Sequence, residues 1–260
     1  MTKALQIRSA SRTDKGNVRQ VNEDSCVDLQ AKRLWAVADG MGGHKGGDIA
    51  SGMIADALRS VAREETPSQF LDAVEDAVTA VNERLCDMSA EREPGGVIGS
   101  TLALLMAFPR HCVVAWAGDS RVYRQRGSEF EQITLDHSEV EELVARGAIT
   151  REQAKDHAAS NVVTRAVGGA RQLFLDVDLV EIEPGDRFLI CSDGLYKELA
   201  DSELSKQLTS GDVDTACKAL VDEALRHECR DNVTAVVVEF QSDDAAPAQD
   251  DEDRTITLVP

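Results

Sequence analysis

The chain has 260 residues, of which 42% are hydrophobic and only 4% aromatic, and its formal net charge is −19. Such an acidic chain has little with which to neutralise a phosphate backbone or an anionic bilayer, so we predict no nucleic-acid and no membrane partner. It contains no apolar run of about 18 residues and no signal-peptide pattern after Met1, which predicts a cytoplasmic protein without a membrane span.

The first predicted elements are short strands, followed by two long helices. Apolar segments bounded by turn residues predict strands at 4–10, 25–29 and 34–38. Apolar residues at helical spacing predict helices at 48–64 and 68–90. Strands grouped before helices in this way differ from the regular alternation of a doubly wound parallel sheet.

The rest of the chain continues with a meander of strands, a polar excursion of two short helices, and strands with one late helix. This order favours an α+β domain in which two stacked sheets are flanked by helices. The predicted ranges are strands at 100–107, 112–117, 121–126 and 130–134, short helices at 138–147 and 150–157, strands at 174–180, 187–191 and 233–240, and a helix at 213–227.

From Ser242 onward the composition changes to acids, Ala and Pro, with Arg254 as the one basic residue. We therefore predict one domain over 1–241 and a disordered acidic tail over 242–260. The six cysteines show no CxxC spacing, and several lie in apolar runs. This favours reduced core cysteines in a cytoplasmic protein over zinc ligands or disulfides.

Four aspartates lie where apolar segments begin or end: Asp24, Asp39, Asp193 and Asp231. Carboxylates at strand ends can converge at the rim of a sheet while the strands stay buried. Several hard oxygen ligands in one place suit Mg²⁺ or Mn²⁺ rather than zinc. Each aspartate alone is better explained as a turn residue, but their repetition through the whole domain favours a metal centre.

Other polar residues near these turns have open roles. Arg19 offers a guanidinium fork for phosphate oxygens, and its alternative is a surface salt bridge to Glu23. Asp119 lies in a tight turn between two strands. The sequence supports two roles for it equally, a further metal ligand and a turn-capping residue. Among the five histidines, His44 stands out because it lies in the glycine-rich turn that follows Asp39.

Seven short motifs follow one another in a fixed order: VRQVNEDS (18–25), VADGMGGH (37–44), GSTL (99–102), AGDSRVY (117–123), LDHS (135–138), SDGL (192–195) and RDNVT (230–234). This set resembles the metal-dependent protein phosphatases of the 2C type (the PPM family) in their bacterial form. Each motif alone is weak, but the ordered set is highly specific and covers about residues 4 to 240.

The resemblance implies a four-layer α-β-β-α sandwich of two antiparallel sheets flanked by helices, with a small flap subdomain at about 136–166. It implies two Mn²⁺ or Mg²⁺ ions at one end of the sheets, bridged by Asp39, with a third, weaker ion at Asp119. Glu23 and Asp24 would act on the metals directly or through water. The implied metal-binding residues are Glu23, Asp24, Asp39, Gly40 through its carbonyl, Asp119, Asp193 and Asp231.

The activity implied is hydrolysis of phosphoserine and phosphothreonine in proteins by a water that two metal ions activate, reversing a bacterial Ser/Thr kinase. Arg19, Asp39 and His44 are the expected catalytic residues, and a monomer is the family default. Met41 replaces the histidine that animal relatives place after Asp-Gly. A thioether donates no proton, so the general acid is left between His44 and a metal-bound water.

Two other functions stay open at this point. One is a catalytically weak pseudophosphatase that binds phosphoproteins, which the intact Asp39, Asp193 and Asp231 argue against. The other is a hydrolase of small phosphate esters. In the tail, Thr255 follows a run of acids and has Leu258 three residues later, a spacing that resembles phosphothreonine sites read by forkhead-associated domains. The alternative for Thr255 is a solvated disordered end.

Overall fold

The computed structural model describes residues 5–42, 46–91 and 96–242, with the side chain of Lys155 left out. Within these ranges the chain forms two β-sheets whose strand pairs are all antiparallel. The strands are β1 (Leu5–Asp14), β2 (Asp24–Leu29), β3 (Leu34–Met41), β4 (Gly99–Ser100), β5 (Leu102–Ala107), β6 (His111–Ala117), β7 (Arg121–Arg126), β8 (Glu129–Gln132), β9 (Asp176–Glu181), β10 (Arg187–Cys191) and β11 (Val233–Ser242).

The strand order separates the two sheets. The first sheet has the order β1-β11-β10-β7-β8, and the second has β2-β3-β5-β6-β9 with β4 added beside the end of β3. The connection between β6 and β7 crosses from the second sheet to the first, so the turn that carries Asp119 joins the two layers.

Helices cover the outer face of each sheet. α1 and α2 lie on the second sheet, α6 and α7 lie on the first, and α3 and α4 belong to the excursion between β8 and β9. Their bounds are α1 (Gly47–Ser60), α2 (Pro67–Glu91), α3 (Glu139–Ala145), α4 (Arg151–Lys155), α5 (Asp193–Tyr196), α6 (Asp201–Leu208) and α7 (Val213–Arg226).

The start and the apolar stripe of α7 show why these segments are helical. The side chain of Asp212 accepts a hydrogen bond from the Thr215 backbone N at 2.8 Å, which satisfies one of the free N–H groups at the helix start. Ala216, Leu220 and Ala224 recur every four residues and are fully buried against the first sheet. Each buried leucine of this kind contributes about 1.5–3 kcal/mol relative to an exposed one.

Three apolar cores lie between the four layers. One is between α1, α2 and the second sheet, one is between the first sheet and α6 with α7, and the third is between the two sheets. The inter-sheet core contains Trp35 and a T-shaped pair of Phe188 and Phe240, and otherwise consists mainly of aliphatic side chains. The prediction of a four-layer α-β-β-α sandwich of two antiparallel sheets is therefore confirmed.

Two local predictions differ from the structure. Asp39 does not follow its strand but lies inside it, because the pairs Gly40–Ser100 and Met41–Gly99 extend β3 beyond the apolar segment. The short helices α5 and α6 were not predicted. Asp193 therefore opens a helix instead of lying in a simple turn.

The predicted absence of a membrane helix and of disulfides can be compared with the described residues. Over 5–42, 46–91 and 96–242 no helix has both the length and the apolar character to cross a bilayer. All six cysteines carry free thiols. Cys112, Cys191, Cys217 and Cys229 are buried, and Cys26 and Cys86 are half-buried.

Candidate metal centre

Strand pairing places two of the predicted aspartates next to each other. Asp24, the first residue of β2, lies directly opposite Asp39 of β3 in the antiparallel register. Residues opposite each other in such a pair have Cβ atoms about 4.5–5.5 Å apart and project from the same face. Like charges in these positions destabilise a sheet, so the pair indicates a site that holds positive charge.

One oxygen of Asp24 is held by two hydroxyl groups from the other sheet. Ser192 Oγ donates to Asp24 Oδ2 at 2.7 Å, and Thr234 Oγ1 donates to the same atom at 2.6 Å. The other oxygen, Oδ1, is buried and has no hydrogen-bond partner among the described residues. The two hydroxyls therefore fix the orientation of a carboxylate whose second oxygen is left for a ligand.

Asp193 and Asp231 lie at the ends of neighbouring strands, and each meets a basic side chain. Lys197 Nζ is 2.5 Å from Asp193 Oδ2, one helical turn further along, while Asp193 Oδ1 is buried without a partner among the described residues. Arg19 Nη2 is 2.8 Å from Asp231 Oδ2. The Arg19 salt bridge is therefore made with Asp231 and not with Glu23.

Glu23 is positioned through the backbone. Asn232 Oδ1 accepts a hydrogen bond from the Glu23 backbone N at 2.8 Å, and Asn232 Nδ2 donates to the carbonyls of Lys15 and Val21 at 3.0 Å each. A single amide thus secures both ends of the loop that carries Arg19. The Glu23 carbonyl in turn accepts from the Gly40 N at 3.1 Å.

Gly40 has a steric reason to be glycine. A Cβ atom at this position would lie 2.1 Å from the carbonyl oxygen of Gly47 and 2.6 Å from that of Glu23. The start of α1 therefore approaches β3 through bare backbone. The Asp39 backbone is fixed nearby, because its N donates to Thr101 Oγ1 at 3.0 Å and its carbonyl accepts from the Thr101 N at 2.9 Å.

Asp119 is buried in the turn between β6 and β7. The neighbouring Ser120 shares a hydrogen bond of 2.7 Å with Thr101, the residue that also holds Asp39. Burial, and next the charge of Asp193, raise the pKa of Asp119 to about 7, while Lys197 lowers it. The position of Asp119 thus adds a fifth aspartate to the same electrostatic environment.

The pKa values of the two paired aspartates show the same repulsion. Burial is the main reason that the pKa of Asp39 lies well above its ordinary value, followed by the charges of Asp24 and Asp193. Burial also raises the pKa of Asp24 to about 7, although the hydroxyls of Thr234 and Ser192 oppose the shift. Without a cation the site therefore favours protonated carboxyls, and with a cation it favours carboxylates.

The donor set fits hard divalent cations. The site offers carboxylate and carbonyl oxygens, which Mg²⁺ and Mn²⁺ prefer, and two of its buried oxygens, Asp24 Oδ1 and Asp193 Oδ1, lack partners among the described residues. No group of three or more His, Cys, Asp or Glu side chains within these ranges forms a ready-made metal cage. Lys197 and Arg19 contact oxygens of Asp193 and Asp231.

The excursion between β8 and β9 is anchored beside this site through His137. The His137 backbone N donates to the Gly118 carbonyl at 2.9 Å, its Nδ1 accepts from the Gly118 N at 3.1 Å, and its ring stacks on Trp116. Near the other end of the excursion, Asn161 Oδ1 accepts from Lys197 Nζ at 2.7 Å. The excursion thus contacts the residue that also contacts Asp193.

The structure therefore brings Arg19, Glu23, Asp24, Asp39, Gly40, Asp119, Asp193 and Asp231 to one end of the sheets. His44 lies outside the described residues. Sequence reasoning gave no role to the residues that orient this cluster, although several lie inside the quoted motifs. These are Thr101, Ser192, Lys197, Asn232 and Thr234.

This combination of fold and acidic cluster can be compared with known proteins. The sequence model of the family described as Protein phosphatase 2C matches residues 10–235. The chain belongs to the protein phosphatase 2C family. It is 35% identical over 246 residues to the serine/threonine protein phosphatase PstP of Mycobacterium tuberculosis. The aligned region covers 94% of this chain and 47% of PstP. The chain thus spans about half the length of that relative.

Solved structures agree with this family membership. PppA of Pseudomonas aeruginosa, a key regulatory component of T6SS, superposes with a TM-score of 0.85 at 41% identity, covering 92% of this chain and 99% of PppA. The catalytic domain of PstP in complex with two manganese ions superposes with a TM-score of 0.81 at 34% identity, covering 92% and 100%. The predicted resemblance to the 2C-type phosphatases is therefore confirmed.

Proposed function

We propose that this member of the protein phosphatase 2C family hydrolyses phosphoserine and phosphothreonine in proteins with the help of two Mn²⁺ or Mg²⁺ ions. The observation that carries the proposal is the pair of buried, unpartnered oxygens, Asp24 Oδ1 and Asp193 Oδ1, within a cluster of mutually repelling carboxylates. A protein that only bound phosphoproteins would not need this concentration of acidic groups, of which Asp193 and Asp231 each meet a basic side chain.

The residues that would hold the ions follow from the cluster. Asp39 would bridge them, the Gly40 carbonyl, Asp193 and Asp231 would complete the coordination, and Glu23 and Asp24 would act directly or through water. Asp119 would hold a third, weaker ion. When bound, the ions supply positive charge that lowers the pKa of water and offsets the charge of the phosphate.

Binding of these ions would also release two basic side chains of the protein. Lys197 and Arg19 contact Asp193 and Asp231 in the structure, and a cation on those carboxylates would compete for the same oxygens. Arg19 is half exposed, so its guanidinium is accessible to a substrate. It would then offer its fork to two non-bridging phosphate oxygens and stabilise the charge that develops on them.

Proton donation to the departing serine or threonine oxygen needs a group other than Met41. We assign this role to His44, five residues after Asp39 in the sequence, with a metal-bound water as the alternative. His44→Asn should lower kcat for an alkyl phosphomonoester, which has a poor leaving group. It should affect an aryl phosphate much less, because a good leaving group departs without protonation. Equal losses on both substrates would contradict the assignment.

The substrate class and setting are further parts of the proposal. The similarity to family members favours phosphorylated proteins over small phosphate esters as substrates. PstP is named a serine/threonine protein phosphatase, and PppA is described as a key regulatory component of T6SS. The cognate partner would be a Ser/Thr kinase, in the cytoplasm, with the phosphatase acting as a monomer. Comparing kcat/KM on phosphothreonine peptides and on sugar phosphates tests the choice, and a preference for the sugar phosphates would overturn it.

The acidic tail suggests a way to recruit signalling partners. We propose that a kinase modifies Thr255, which would create a phosphothreonine followed three residues later by Leu258 for a forkhead-associated domain protein. Thr255 lies outside the described residues. Intact-mass analysis after co-expression with a cognate kinase should show a phosphate that Thr255→Ala removes, and an unmodified chain would contradict the proposal.

The experiment that tests the main proposal is phosphate release from a phosphothreonine peptide with Mn²⁺, with and without EDTA. We expect release that needs both the metal and Asp39, so EDTA and Asp39→Asn should each abolish it. Calorimetric titration with Mn²⁺ should show that Asp39→Asn binds the metal more weakly than the wild type. Tight peptide binding without release in the wild type would identify a pseudophosphatase instead.

A further inference from the structure

β9 forms one edge of the second sheet. Its six residues pair with β6 on one side, and no strand within the described ranges pairs with the other side. Edge strands offer a row of backbone donors and acceptors to any extended segment that comes near. This edge is therefore a candidate for the addition of another strand.

Two of the four exposed side chains of β9 are apolar, and the other two, Asp178 and Glu181, are acidic. Val177 is 44% exposed and Leu179 is 59% exposed. Their partners in the register are Ala115 and Val113, which belong to the core under α1 and α2. Val177 and Leu179 thus continue the apolar face of the sheet beyond the area that the helices cover. Edges usually carry charged residues at such positions.

The hydrogen-bond pattern shows which backbone groups are directed outward. Ile182 N donates to the Arg110 carbonyl at 3.0 Å, so the pair 182–110 is of the hydrogen-bonded type. Because such pairs alternate in antiparallel strands, Val177, Leu179 and Glu181 direct their N–H and C=O groups away from β6. Consistent with this, the Leu179 N donates to its neighbour Asp178 Oδ1 at 2.8 Å, an exposed bond that solvent or a strand can replace.

The chain itself contains a segment with matching chemistry. Residues 254–259 read Arg-Thr-Ile-Thr-Leu-Val, a β-prone sequence with Ile256 and Leu258 on one face of a strand. If this segment runs antiparallel to β9, pairing Ile256 with Leu179 also pairs Leu258 with Val177. The same register places Arg254, the one basic residue of 243–260, opposite the exposed Glu181, whose Oε1 also lies 3.8 Å from Arg110 Nη2. Apolar and charged positions therefore agree in a single alignment.

The end of β11 is close enough for this segment to reach β9. Two residues before Ser242, the Phe240 carbonyl accepts a hydrogen bond from the Gly185 N at 2.6 Å, and Gly185 is only four residues beyond Glu181. The Glu181 carbonyl accepts from Arg124 and Arg126, which places the end of β9 over β7 of the first sheet. Residues 243–253 can span about 36 Å when extended. Two packed sheets lie only about 10 Å apart, so the segment is long enough to pass from one sheet to the other.

We propose that residues 254–259 add to the free edge of β9 as an antiparallel strand of the same molecule. The pairs would be Ile256 with Leu179 and Leu258 with Val177, with an ion pair between Arg254 and Glu181. The added strand would cover the two exposed apolar side chains. Its hydrogen-bonded part would end near Glu181, whose carbonyl is already occupied. This proposal is independent of the phosphatase activity.

Residue-resolved amide exchange by NMR on the full chain tests this pairing. A strand docked in about nine of ten molecules would slow exchange of the Val177 amide about tenfold relative to the undocked state. We expect Ile256→Asp with Leu258→Asp to remove this protection. Ala245→Asp with Ala246→Asp, which adds the same charge in the connecting segment, should leave it unchanged.

A charge exchange tests the register. Glu181→Arg should speed exchange at Val177, and adding Arg254→Glu to that variant should restore the slow rate. Equal exchange in the wild type and in Ile256→Asp with Leu258→Asp would overturn the proposal. Protection that increases with protein concentration would also overturn it, because the strand would then come from a second copy.

Discussion

At the scale of single residues, burial and repulsion make the charged form of Asp119 unfavourable in the metal-free fold. Its pKa of about 7 lies above the ordinary value of an unfolded aspartate, near 4. Between about pH 4 and pH 7 the folded state therefore holds a proton that the unfolded state has lost. The stability of the metal-free protein should fall as the pH rises through this window.

The variant Asp119→Asn removes this charge while keeping the shape of the side chain. We expect its metal-free free energy of unfolding to exceed that of the wild type by on the order of 2 kcal/mol at pH 8, and by much less at pH 5. Urea denaturation in EDTA at the two pH values measures the difference. Asp72→Asn, which changes an exposed carboxylate on α2, is the control and should behave as the wild type. An equal gain at both pH values would refute the argument.

A change at Thr234 tests how much the orientation of the Asp24 carboxylate contributes to metal binding, because the carboxylate itself is kept. The Thr234 hydroxyl donates to Asp24 Oδ2 and also shares a 2.7 Å hydrogen bond with Thr13. Residues that orient metal ligands typically change metal affinity about 10- to 100-fold when mutated. We expect Thr234→Val to weaken Mn²⁺ binding by this factor while the fold is retained, as measured by calorimetry and circular dichroism. Thr209→Val, at an exposed helix end, is the matched control, and equal affinities would make the hydroxyl purely structural.

At the scale of elements, the long amphipathic helices and buried strands could be predicted because their periodicity is strong. α6 could not, because it has eight residues and only Leu204 and Leu208 mark a buried face. Its N-cap is Ala200, which gives no sequence signal, and Glu203 instead accepts a hydrogen bond from the Ala200 N at 3.0 Å. A short helix without a capping side chain depends on its tertiary contacts, and these are absent from the sequence pattern.

The same distinction applies to the site. Asp24 and Asp39 were predictable, because in the sequence each lies at the end of an apolar segment, next to a recognisable turn motif. Their support was not, because the hydroxyls that hold Asp24 come from residues 168 and 210 positions away. Lys197 likewise follows Asp193 at ordinary helical spacing, and its contact with Asn161 of the excursion exists only in the folded chain.

His137 is the residue that ties the excursion to the turn carrying Asp119. It contributes two hydrogen bonds to Gly118, accepts one from the Thr164 N at 2.8 Å, and stacks on Trp116. We expect His137→Ala to speed amide exchange across 138–164 and to raise KM for a phosphopeptide, with little change in Mn²⁺ affinity. His111→Ala, at the start of β6, is the control. An unchanged exchange pattern would mean that other contacts hold the excursion.

At the scale of the whole molecule, the net charge of −19 would act on any phosphopeptide that approaches the proposed site. A phosphopeptide flanked by lysines should be attracted by the field of the protein, and one flanked by glutamates should be repelled, before either reaches the local positive charge of Arg19 and bound cations. Salt shortens the range of this field, since the Debye length is about 10 Å at 0.1 M ionic strength.

We therefore expect kcat/KM to be higher for a lysine-flanked phosphothreonine peptide than for its glutamate-flanked counterpart, by about tenfold at 20 mM salt. At about 200 mM salt the ratio should contract severalfold, because screening weakens attraction and repulsion together. Initial rates at matched Mn²⁺ concentration measure both ratios, and a peptide with neutral flanks shows whether salt affects the chemistry itself. A preference that persists at high salt would place the selectivity in direct contacts at the site instead of in the long-range field.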